Sequence, residues 1–249
     1  LSSILRSYGN SDTCLIGLKE VWTIEMSFPI LNMIGSKAKI LVVLRDPLDI
    51  VASSIKGSAN YSILSLSRQW RKQIVFYNLL KFMFPNQVEV INYEDFCLNP
   101  RLNLKNKIEK LTNHKSIFFS EKLVPTDDDD NVWIKNSSYF DQESSEKIDT
   151  KSIGKNLNIL DNSEIEWMIY LTHMLSYKRY NRKSDIPKKP VSSFPKRNMS
   201  NVAAWAKADL VKLESNNLDK ELKYEHDRID KMMSISNFKF DTNYVMSQI

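Results

Sequence analysis

The sequence predicts an α/β fold: a three-layer arrangement in which a parallel β-sheet is flanked by helices, with a helical C-terminal extension. Three observations predict it. Lys39–Leu44 (KILVVL) is a continuous β-branched run of the kind buried on both faces of a parallel sheet. Val88–Ile91 (VEVI) is a second, shorter run. Helical patterns lie between and after them, and alternation of strands with helices implies crossover connections. At 249 residues and 42% apolar content the chain can bury a sizeable core, yet no run reaches the length of a bilayer span.

Taken in order, Ser2–Tyr8 has the pattern of a helix fragment and Thr13–Leu18 (TCLIGL) that of a short strand leading into Lys19 and Glu20. Residues 24–34 are helical in pattern, with Pro29 predicting a kink or a late start. After the 39–44 strand, Asp46-Pro47-Leu48-Asp49 is a helix-start signature. Asp46 can cap, Pro47 suits the first helical position, and Asp49 adds negative charge to the first turn. A long helix is expected over about 62–82, with Ile63, Leu66, Trp70, Ile74 and Tyr77 on one stripe. Asn99-Pro100 precedes a helix through Leu111. Residues 113–160 are polar and poorly periodic, a long loop with short elements, and Asp127–Asp130 is a solvated acidic run within it. A helix over about 162–179, starting at Asp161 or Asn162, offers Ile165, Met168, Ile169, Thr172 and Leu175 as its face. Pro187–Pro195 (PKKPVSSFP) is a linker by composition, and 200–234 is charged and weakly amphipathic. The domains expected are therefore 1–185 and an extension over 186–249.

Two cysteines, Cys14 and Cys97, make neither a disulfide framework nor a CxxC metal site. A reducing, cytoplasmic setting is the default, with a Golgi-type lumen as the alternative. The net charge of +5 suits an anionic ligand, and because the basic residues are scattered rather than striped, no nucleic-acid partner is expected. Oligomeric state is not legible.

In open parallel sheets ligands sit beyond the carboxyl ends of the strands. Arg45 occupies that place, and its planar guanidinium suits bidentate contact with phosphate oxygens. Ser53 lies eight residues later and returns near the helix face of Asp46 and Asp49. One arginine and one hydroxyl make a phosphate grip. The alternative is that Arg45 pairs with Asp46 or Asp49 and Ser53 only packs.

RDPLDIVASS (45–54) resembles the 3′-phosphate-binding segment of sulfotransferases that use 3′-phosphoadenosine 5′-phosphosulfate (PAPS). Three further stretches fall in that family's order: GLKEVW (17–22), VINYEDFCLNPRLNLKNKIEKL (90–111), and WIKNSSYF (133–140) followed by KSIGKNLNIL (151–160). The resemblance covers about residues 1–180. It implies a P-loop-like fold, PAPS as co-substrate, and Arg45 and Ser53 on its 3′-phosphate. It also implies Asn136, Ser137 and Ser138 in a closing segment, for which an Asx or Ser turn is the alternative. Lys19 is the expected contact to the sulfuryl or bridging oxygen and Glu20 the expected base or acceptor contact; a surface Lys-Glu pair is the alternative. No metal is implied.

The family's glycine-rich loop for the 5′-phosphosulfate is not built by any of the five glycines, Gly9, Gly17, Gly35, Gly57 and Gly154. LSSILRSYGN resembles the helix that follows the loop, so the expectation is a chain starting just downstream of it. A protein that never had the loop, and has no activity, is the alternative. No histidine precedes Arg45; His114, His173 and His226 all follow it. Since small-molecule members of the resembled family often use a histidine base upstream of the Arg-Asp-Pro segment, the resemblance here implies a carboxylate base and tilts the acceptor, a hydroxyl or amine, toward a carbohydrate. The competing functions are an inactive binding module of the same fold and a P-loop nucleotide kinase.

Overall fold

The computed structural model describes residues 24–56, 61–113, 148, 150–155, 157–172, 188–195, 220, 223, 224 and 227. It is a mixed helix-and-strand chain, mostly helical, with a small parallel two-stranded sheet. The chain divides into two compact units, Leu1–Ala38 and Lys39–Ile249.

In the first unit, a 3-10 turn over Ile24–Met26 runs into α1, Ser27–Ile34. The α-helix starts late enough that Pro29 falls in its first turn, where a missing N–H costs no intrahelical bond. Gly35 ends it at φ 67°, a conformation that glycine adopts without Cβ strain.

The second unit carries the sheet. β1 is Ile40–Leu44 and β2 is Val88–Asn92, paired in parallel with Ile40 opposite Val88 and Leu44 opposite Asn92. Joining them are α2, Pro47–Lys56, and α3, Ile63–Met83. The Asp46 carboxylate accepts from the Leu48 N–H at 2.8 Å, and the Ser62 hydroxyl from the Ser65 N–H at 3.1 Å, so both helices begin on side-chain caps. Ile63, Leu66, Trp70 and Ile74 are buried on the predicted stripe of α3, while Tyr77 is only half-buried.

After β2 come α4, Tyr93–Leu98, and α5, Pro100–Thr112. Asn99 caps α5, with its side-chain oxygen accepting from the Leu102 N–H at 3.3 Å, and Asn113 closes it in the left-handed region at φ 60°. Two 3-10 turns, Thr150–Ser152 and Leu157–Ile159, precede α6, Asn162–Thr172. Asp161 and Glu164 cap α6 reciprocally: the Glu164 N–H donates to Asp161 at 2.8 Å and the Asp161 N–H to Glu164 at 3.1 Å.

The principal core lies where α2, α3 and α6 meet: Leu48, Val51, Ala52, Ile63, Leu64, Leu66, Trp167, Met168 and Leu171. The Arg71 guanidinium donates to the Leu171 carbonyl at 2.7 Å, joining α3 to α6.

Two expectations are corrected, the second in part. β1 is not covered on both faces, since Val43 is 53% exposed. Of the expected face of α6, Met168 and Thr172 are buried and Ile165 and Ile169 pack half-buried against the core, while Glu164, Trp167 and Leu171 join the buried face and Leu175 falls outside the described residues. Within the stretch that reads as a linker, Pro187–Pro195, residues 188–195 pack on α6: the Trp167 Nε1–H donates to the Ser192 carbonyl at 3.1 Å and Phe194 meets the Trp167 ring edge-on at 5.2 Å. The expected three-layer architecture goes further than this sheet does, and the expected strand at Thr13–Leu18 lies outside the described residues.

Candidate functional site

The carboxyl ends of β1 and β2 are fastened together. The Asp46 N–H, just past β1, donates to the Glu94 carboxylate, just past β2, at 2.8 Å. The Arg45 carbonyl accepts from the Trp70 Nε1–H at 2.9 Å, so buried Trp70 on α3 fixes the backbone from which the guanidinium projects. The Arg45 side chain is 26% exposed and lies over the Tyr93 ring, 4.7 Å from its centroid. Arg45 is therefore at the rim of the parallel strands, where the sequence placed it.

The ion pair offered by the alternative reading is also present. Arg45 Nη2 lies 3.8 Å from Asp49 Oδ2, one turn along. That separation is longer than the ~2.7–2.9 Å of a charge-assisted hydrogen bond. Asp49 has a firmer commitment elsewhere: both its oxygens accept from the Gly154 N–H, each at 3.0 Å. Asp49 thereby ties the 150–155 segment, with Lys151 and Lys155 on it, to α2, which starts two residues after Arg45. The Thr150–Ser152 turn in turn packs against α4.

Asp49 is 4% exposed, and its pKa is raised. Burial is the largest cause; the Gly154 hydrogen bond and the Arg45 charge act the other way, while the nearby Asp46 and Glu94 charges add to the rise. Because the folded chain holds a proton there more readily than the unfolded chain, the ionised carboxylate opposes folding. This contribution turns favourable as pH falls through the raised pKa toward 3.8. Asp49→Ala should remove the acceptor for Gly154 and cost ~1–3 kcal/mol by urea unfolding, with faster hydrogen exchange at the Gly154 amide. Asp49→Asn keeps one acceptor and sheds the buried charge, so its cost should be under ~1 kcal/mol.

Ser53 lies one turn beyond Asp49 on the same face of α2 and is half-buried. Its neighbour Ser54 is the buried one, accepting from the Tyr61 N–H at 3.2 Å and so linking α2 to the residues just before α3. Arg45 thus stands just before α2, and Ser53 two turns into it. Lys19, Glu20, Asn136, Ser137 and Ser138 lie outside the described residues. Sequence reasoning assigned no role to Tyr93, Glu94 or Gly154, although each falls within a stretch that it singled out, and it gave Asp49 a place in the first turn and beside Arg45 but not the contact to Gly154.

Chemically, the rim offers a guanidinium backed by an aromatic face, a hydroxyl two turns into α2, and a loop bearing two lysines. Three carboxylates surround it, and each accepts a backbone N–H: Asp46 from Leu48, Asp49 from Gly154, Glu94 from Asp46. An anion bound here relies on Arg45 and on the cations of the tethered loop. Comparison with known families, with curated proteins and with solved structures finds no match to this chain.

Proposed function

We propose that this chain is a PAPS-dependent sulfotransferase acting on a hydroxyl or amine, with a carbohydrate as the favoured acceptor class. The single observation that carries the reading is the placement of Arg45 at the carboxyl rim of the parallel strands, with Ser53 on the helix that follows it and the 150–155 segment tied to that helix through Asp49. In this reading Arg45 and Ser53 hold the 3′-phosphate of the nucleotide, and Asn136, Ser137 and Ser138 close over it. Lys19 stabilises charge on the departing phosphate oxygen. The acceptor oxygen or nitrogen attacks sulfur in line and the sulfur–oxygen bond to the 5′-phosphate breaks. Glu20 takes the acceptor proton. The products are a sulfated acceptor and adenosine 3′,5′-bisphosphate.

A second reading is an inactive module that binds the nucleotide without transfer. The two readings part on turnover. Labelled PAPS with a glycan panel should release adenosine 3′,5′-bisphosphate if transfer occurs, whereas binding without release identifies the module. Under both readings Arg45→Ala should weaken bisphosphate binding by ~1–3 kcal/mol, the loss of a charge-assisted contact. Unchanged affinity contradicts both.

A further inference from the structure

A second concentration of charge lies at the opposite end of the strands. Glu89 is the second residue of β2, opposite Leu41. Leu41 precedes Arg45 by four residues, roughly 13 Å at strand rise. Glu89 is 4% exposed, and three lysines converge on it. Lys81 from the end of α3 reaches Oε1 at 2.7 Å, Lys107 from α5 reaches Oε2 at 3.2 Å, and Lys110 from α5 also reaches Oε1.

The three ammonium groups are not equivalent. Lys81 donates to the Pro85 carbonyl at 2.7 Å, the Val88 carbonyl at 2.8 Å and Glu89, which uses all three of its N–H donors. It is a fixed charge with nothing left to offer. Lys107 and Lys110 each make one contact, to Glu89, which leaves each with two donors. Their side chains are 32% and 63% exposed, so those donors are open to solvent. Three cations against one carboxylate leave a surplus of two positive charges around one buried group. Holding Lys107 and Lys110 toward the same carboxylate also fixes their relative position before any ligand arrives, which reduces the ordering cost of binding.

We infer that Lys107 and Lys110, backed by the fixed charge of Lys81, form a binding site for a phosphate monoester that is separate from the Arg45 rim. A phosphate monoester carries close to two negative charges at neutral pH and offers three acceptor oxygens, matching the surplus and the four open donors. A sulfate monoester carries one charge and matches less well. The inference does not depend on the sulfotransferase reading, since it uses other residues at the other end of the strands.

The test is calorimetric titration with phenyl phosphate and phenyl sulfate at pH 7.5 and constant ionic strength, in the Arg45→Ala background so that the rim does not contribute. Phenyl phosphate should bind about tenfold tighter than phenyl sulfate, and Lys107→Gln with Lys110→Gln should weaken it about tenfold. Lys110→Gln alone, at the most exposed of the three, should weaken it roughly threefold and keeps the test open if the double variant does not fold. A phosphoserine tripeptide and a sugar phosphate, titrated in parallel, separate a phosphorylated chain from a small metabolite as the source, and tighter binding of either supports the site. Equal affinity in the lysine variants and their parent, or equal affinity for phenyl phosphate and phenyl sulfate, overturns it.

Discussion

Trp70→Ala should cost ~3–5 kcal/mol of folding free energy, the range for removing a large buried aromatic side chain. Trp70 is 2% exposed, and its indole N–H is the donor to the Arg45 carbonyl at 2.9 Å. Two losses therefore combine: the cavity left between α3 and the strand ends, and an orphaned carbonyl at the point where β1 hands over to α2. Trp70→Phe separates them. It keeps most of the ring volume and removes only the donor, so ~1 kcal/mol is expected. Urea unfolding of the two variants measures both values. If Trp70→Phe costs as much as Trp70→Ala, the hydrogen bond rather than the packing dominates and the core is placed wrongly. Because the lost donor holds the Arg45 backbone, Trp70→Phe should also weaken ligand binding at the rim while leaving the Lys107–Lys110 site unchanged.

Glu89→Gln should cost about 2 kcal/mol at pH 7 and almost nothing near pH 2. Burial raises the Glu89 pKa, but the hydrogen bonds from Lys110, Lys81 and Lys107 outweigh it and bring the carboxyl from 4.5 down to about 2. A folded pKa below the unfolded one contributes stability in full above the unfolded value. That stability is lost as pH falls through the interval from 4.5 to about 2. The shift alone corresponds to ~3 kcal/mol, and the solvent exposure of the lysines reduces it. The measurement is the difference in unfolding free energy between parent and variant across that interval. A difference independent of pH would show that Glu89 stabilises through packing, not charge.

Much of the local structure was legible because its signals are local. Asp46-Pro47 and Asn99-Pro100 mark helix starts, and the caps they form reach only two or three residues. The VVL run pairs with the VEVI run in parallel, as alternation with helices implied. What was not legible depends on distant partners. Asp49 reads as a first-turn acid, yet its acceptors are taken by Gly154, 105 residues away, across a polar stretch with no periodic signal. The face of α6 was legible only in part, Met168 and Thr172 being buried as expected, for a related reason. Glu164 turns its carboxylate back to cap Asp161 and so becomes buried, while Trp167 is drawn inward by Ser192 and Phe194, which the sequence assigned to a connector. A stripe of apolar letters did not register either effect.

Of the candidate site, the guanidinium position was legible from the strand-then-arginine pattern, and Ser53 from helical spacing. The aromatic support from Tyr93 and the Glu94 fastening were not, because neither residue type carries a spacing rule that pairs it with a position 48 residues earlier. Arg45 proves to sit between two interpretations, with a 3.8 Å contact to Asp49 and partial exposure toward solvent. The local charge explains why binding should depend on it. With three carboxylates at the rim among the described residues, an anion that loses the guanidinium keeps only the loop lysines, Lys151 and Lys155, to set against them.

The most direct measurement compares adenosine 3′,5′-bisphosphate with adenosine 5′-monophosphate, each titrated against the parent chain and Arg45→Ala. The sulfotransferase account predicts that the added 3′-phosphate tightens binding to the parent at least about tenfold, and that this advantage disappears in Arg45→Ala. If the two nucleotides bind the parent equally well, or the advantage survives the loss of Arg45, the rim is not a 3′-phosphate site and the account fails.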